Sequence, residues 1–88
     1  MFDFKPEAGA DPTELYRQLA QAADALTADE PDGVANMANV ASLLWEFLPD
    51  LNWAGFYRVA PAKKGGVEEL VLGPFVGRPA CIRIPIGG

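Results

Sequence analysis

The sequence predicts an α+β fold in which two N-terminal helices pack on one face of an antiparallel sheet of about three strands. Two patterns carry that prediction. The spacing of apolar residues changes from near 3.6 to 2 after Asp50. The turn-forming residues are also unevenly placed, because five of the eight prolines and seven of the nine glycines lie from Pro49 onward. Length adds a third constraint. A chain of 88 residues should fold to a surface of about 5,000 Å² from about 13,600 Å² unfolded, which allows one domain with a small core.

The first helix is expected over about residues 12–26. Asp11 can accept from free backbone N–H groups, Pro12 is preset for the first helical position, and Glu14 is placed to close a capping box. Leu15, Leu19, Ala22, Ala23 and Leu26 then recur at three and four residues as one apolar stripe. Thr27 to Gly33, rich in Asp, Glu and Pro, is the connection. A second helix is expected over about 34–48, presenting Val34, Met37, Val40, Ala41, Leu44, Trp45 and Leu48 on one broad face and stopped by Pro49. The pair should run antiparallel.

Strands are expected over about 53–59 (WAGFYRV), 68–72 and 80–86. Pro61 to Gly66 forms a hairpin turn between the first two, and Gly73 to Pro79 a loop before the third. Alternation along a strand sorts side chains onto two faces. Ile82, Ile84 and Ile86 with Ala54 and Phe56 are expected beneath the helices, leaving Trp53, Tyr57, Cys81 and Arg83 to the opposite face.

Charge and composition exclude several functions. Residues 1–51 hold ten acidic and two basic groups, residues 52–88 two acidic and five basic, and the whole chain carries −5. Nucleic-acid or anionic-membrane binding is not expected, since no basic patch exists to replace phosphate counterions. Without histidine, His-assisted nucleophilic catalysis and most zinc or haem ligation are excluded, and no metal site is expected. One cysteine forms no internal disulfide. No signal peptide or spanning segment is visible, which makes the cytoplasm the default setting.

Cys81 has two readings. A free cysteine commonly packs as a small hydrophobe, but Arg83 two residues along the strand could favour a reactive thiolate. Trp53 and Tyr57 are likewise either core aromatics or the walls of a pocket.

Three blocks in order, Asn52-Trp53-Ala54-Gly55-Phe56-Tyr57, Glu69-Leu70-Val71-Leu72-Gly73-Pro74-Phe75 and Gly77-Arg78-Pro79-Ala80-Cys81-Ile82-Arg83-Ile84-Pro85, resemble the free methionine-(R)-sulfoxide reductases, which are single GAF domains. The helix ending ASLLWEFLPDL resembles the one that enters this motif, so the match covers about residues 34–87. The resemblance implies reduction of free methionine-(R)-sulfoxide by cysteine sulfenic-acid and disulfide chemistry, with thioredoxin as electron donor and no bound cofactor. Cys81 matches the family's resolving cysteine, and Trp53 and Tyr57 match aromatics that wall the substrate pocket, with Arg83 in a supporting position. The family's attacking cysteine and the acidic residues that hold the substrate amine lie beyond the last strand. Residues 1–88 are therefore expected to be the N-terminal portion of one GAF domain and to lack turnover alone. The open sheet edge and uncovered face make oligomerisation, as a homodimer in the simplest case, an expected consequence. Small-molecule sensing by a GAF-type pocket without catalysis is the alternative.

Overall fold

A computed structural model describes residues 3–86. Helices α1 (Pro12–Thr27) and α2 (Gly33–Phe47) are followed by strands β1 (Trp53–Pro61), β2 (Glu68–Gly77) and β3 (Arg83–Pro85). The strands form one antiparallel sheet in the order β1-β2-β3. This is the α+β arrangement read from the sequence, with one refinement. Only α2 lies against the sheet, and α1 packs on the outer side of α2.

Local chemistry accounts for the helix starts. Asp11 Oδ1 accepts from the Glu14 amide at 2.9 Å and Asp32 Oδ1 from the Ala35 amide at 2.8 Å, each satisfying an N–H that has no partner within its helix. Glu14 does not close the capping box. Its carboxylate instead accepts from Arg17 and Gln18, a turn further on, and the Arg17 hydrogen bonds hold its pKa down at about 2. At the far end of α2, Leu48 turns extended ahead of Pro49, and Asp50 takes up φ 62°, one of the few non-glycine types that adopts it readily.

The expected α1 stripe is the observed one. Ala22 is buried with Leu43 and Phe47 of α2, and Leu15, Leu19, Ala23, Leu26 and Phe4 pack around them. The face expected on α2 is corrected. Val34 and Trp45 are exposed at 60% and 42%, whereas Leu43 and Phe47, not expected there, are 5% and 4% exposed. Sandwiched between α1 and the sheet, α2 needs two apolar surfaces. Leu43 and Phe47 meet α1, and Met37, Ala41 and Leu44 lie about 100–160° round the helix from Leu43.

The sheet departs from expectation more than the helices do. β2 continues through Gly73-Pro74-Phe75-Val76 to Gly77, where a loop was expected. Between the pairs Gly55↔Phe75 and Tyr57↔Leu72 the register shifts, so that Gly73 and Pro74 together stand opposite Phe56. Such a bulge accommodates a proline that a regular central ladder would reject. β3 is three residues long, not seven, and Cys81 and Ile82 precede it in irregular backbone.

The expected facing of the last strand is inverted. Ile84 pairs with Leu70, which pairs with Val59 on the face shared by Tyr57 and Trp53, while Arg83 pairs with Val71, opposite Arg58, on the face of Ala54. Ile82 and Ile86 are 69% and 54% exposed and do not pack under the helices. Pairing register, which no single strand specifies, decides the face. The chain's accessible surface is 6450 Å², well above the roughly 5,000 Å² of a closed domain of this mass. The sheet face away from α2 accounts for the openness, since no other described element packs on it.

Candidate functional site

The site expected from sequence lies on that open face. Trp53, Gly55 and Tyr57 project from it along β1, and the bulge in β2 brings Phe75 opposite Gly55 on the same side. Three rings form a row. Trp53 stacks on Phe75 with centroids 5.6 Å apart and planes 15° apart, and on Tyr57 at 6.1 Å and 25°.

Two glycines make room for the Trp53 ring. A Cβ at Gly55 would stand 2.4 Å from Phe75 Cβ and 2.8 Å from Trp53 Cη2. One at Gly77, whose φ is 129°, would stand 2.9 Å from the Asn52 carbonyl oxygen and 3.0 Å from Trp53 Cδ1. The indole therefore lies flat across positions where any larger residue would lift it. Its Nε1 is buried and donates no hydrogen bond to a described residue. Phe75, Gly55 and Gly77 were not among the expected site residues. A glycine inside an aromatic strand such as WAGFY signals close approach of another group, but identifying Phe75 as that group requires the bulge.

Cys81 is exposed, so its reading as a buried hydrophobe does not hold. Its backbone is joined to the aromatic row, because the Tyr57 hydroxyl donates to the Cys81 carbonyl at 2.7 Å across 24 residues of sequence. The next residue is anchored to β2, with the Leu72 amide donating to the Ile82 carbonyl at 2.9 Å. Tyr57 thus touches both the Trp53 ring and the backbone of Cys81. Arg83 is not part of that group. Its guanidinium pairs with Glu69 on the other face of the sheet, and this hydrogen bond lowers the Glu69 pKa. Pairing with a carboxylate takes up the charge that the sequence reading assigned to the thiol. Among the described residues no cluster of three or more His, Cys, Asp or Glu side chains could hold a metal ion, and no helix is long and apolar enough to cross a membrane.

No protein-family model matches the chain. The free methionine-R-sulfoxide reductase of Escherichia coli is 47% identical over 75 residues, 85% of this chain and 42% of that protein. The X-ray structure of the free methionine-R-sulfoxide reductase from Neisseria meningitidis, in complex with its substrate, superposes with TM-score 0.82 at 40% identity, covering 99% of this chain and 48% of that one. The chain is similar in sequence and fold to about half of each of these free methionine-R-sulfoxide reductases. It has the GAF fold, matching also a putative GAF sensor protein from Burkholderia vietnamiensis at TM-score 0.76 and 47% identity over 89% of this chain and 46% of that one. It spans about half the length of the curated relatives it matches. Within that half, the GAF sheet carries its aromatic row on the face away from α2.

Proposed function

We propose that the chain forms part of a free methionine-R-sulfoxide reductase, in which Trp53 and Tyr57 wall the substrate pocket and Cys81 is the resolving thiol. The observation that carries this reading is the aromatic row beside an exposed cysteine, in a fold shared with reductases crystallised with their substrate. Aromatic faces suit a methyl group on a polarisable sulfur. In the chemistry, a thiolate attacks the sulfoxide sulfur, the S–O bond breaks with uptake of one proton from solvent, and the oxygen ends on the attacking cysteine as a sulfenic acid while methionine leaves. The Cys81 thiol then condenses with that sulfenic acid, forming a disulfide and releasing water. Two electrons from the thioredoxin dithiol restore both thiols.

This cycle needs two protein thiols, and the 88 residues hold one. The chain by itself therefore does not turn over, and the attacking cysteine belongs to residues outside it. The free thiol fits the cytoplasm, and a role in oxidative stress follows from the substrate. A homodimer would cover part of the open sheet. The purified chain is to be mixed with each epimer of free methionine sulfoxide while the Trp53 indole signal is followed by NMR. The R epimer should shift it and the S epimer should not; equal behaviour of the two epimers refutes the pocket assignment. NADPH oxidation through thioredoxin and its reductase by the chain alone would refute its inactivity.

The name of the Burkholderia structure supports a second reading, a GAF sensor that binds a small molecule without chemistry. Cys81→Ser leaves binding intact in that case and leaves no thiol to exchange with thioredoxin in either.

A further inference from the structure

We propose that Tyr57 has a second role besides walling the pocket: its hydroxyl positions the segment that carries Cys81. The inference rests on the reductase reading for its consequence in catalysis, and on geometry alone for the tether. Three observations carry it. The Tyr57 hydroxyl donates to the Cys81 carbonyl at 2.7 Å. Residues 78–82 are outside any strand or helix, and Pro79 supplies no N–H to hold them. Tyr57 is itself held, paired with Leu72 in the ladder and stacked on Trp53 at 6.1 Å.

The bond therefore links the irregular, exposed thiol segment to a residue of a paired strand. A second anchor of this stretch is the bond from the Leu72 amide to the Ile82 carbonyl. Leu72 is also the ladder partner of Tyr57, so the two anchors form one clamp, side chain on Cys81 and backbone on Ile82. A resolving thiol has to meet a transient sulfenic acid before that acid is lost to other reactions, and a backbone held at one point shortens the search. Tyr57 is thus a positioning residue for Cys81, whether or not its ring also touches substrate.

Tyr57→Phe keeps the ring and removes the donor. Because the chain has a single cysteine, a nitroxide attached at Cys81 reports this segment alone, and methionine sulfoxide is absent from the experiment, so its outcome does not depend on the substrate assay. The expected result is a more mobile nitroxide spectrum in Tyr57→Phe, with exchange of the Leu72 amide about fivefold faster, as for loss of one ordinary hydrogen bond. Amides of α1 should exchange at the wild-type rate. Unchanged mobility and unchanged Leu72 exchange overturn the proposal, as does equal acceleration in α1, which would mark a global loss of stability. If Tyr57→Phe does not fold, Overhauser contacts between the Tyr57 ring and Cys81 or Ile82 in the wild-type chain decide it: their presence supports the tether, and their absence overturns it.

Discussion

Gly55→Ala should be the most damaging single methyl group that can be added to the sheet. The new Cβ would stand 2.4 Å from Phe75 Cβ and 2.8 Å from the Phe75 Cα, whereas carbon atoms in contact sit about 3.5–4.0 Å apart. Relief requires more than 1 Å of movement, and one of the atoms in the way is backbone in the paired strand. The indole of Trp53, 2.8 Å from the same Cβ, has to lift from the sheet as well. Overpacking of this kind costs about 3 kcal/mol at the upper end of the usual range, which for a domain of this size lowers the melting temperature by roughly 12–24 °C. The assay is thermal and urea unfolding followed by far-ultraviolet circular dichroism, with Trp53 fluorescence reporting the ring. Gly33→Ala is the control, because nothing lies within 4 Å of its added Cβ and it should gain about 0.5 kcal/mol. If Gly55→Ala unfolds within 0.5 kcal/mol of the wild type, the argument that the glycine makes room for the aromatic row is wrong.

Three further outcomes follow from the same geometry. Asp11→Ala and Asp32→Ala each remove the side-chain acceptor at a helix start and should cost about 1 kcal/mol apiece in urea unfolding, additively, since they cap different helices. Phe47→Ala empties the centre of the α1–α2 contact, where the ring is 4% exposed, and should cost about 3–5 kcal/mol, with α1 amides losing their protection from exchange. In acid, both Glu14 and Glu69 have folded-state pKa values below the ordinary 4.5, Glu14 at about 2. The unfolded chain therefore binds more protons in this window, so the stability these groups add is complete above about pH 4.5 and is lost as pH falls toward 2. Arg17→Gln and Arg83→Gln should flatten that acid limb in pH-dependent unfolding; an unchanged slope would refute the pairing.

The helices were legible because their causes are local. Asp11, Pro12, Asp32 and Pro49 act within a turn of where they stand, and the Leu15 to Leu26 stripe needs only the helical period. The existence of an aromatic strand at Trp53 was legible for the same reason, and its alternation correctly separated Trp53 and Tyr57 from Ala54. Alternation along the last strand also placed Cys81 on the side of these aromatics, but the structure brings its backbone to Tyr57 from irregular chain ahead of β3.

What the sequence could not determine is set by partners distant along the chain. Gly73-Pro74 reads as a loop in isolation and becomes strand because β2 bulges there, opposite Phe56 of β1. Ile84 and Arg83 exchanged faces because pairing with Leu70 and Val71, and not the hydrophobicity of the isoleucines, sets the register. Arg83 met Glu69 in place of the thiol for that same reason. By itself the sequence determined where the two helices and the aromatic strand lie and offered the candidate side chains; the tertiary structure alone decided which of them share a face, because a face is a property of paired strands and a one-residue change of register moves every side chain to the other side.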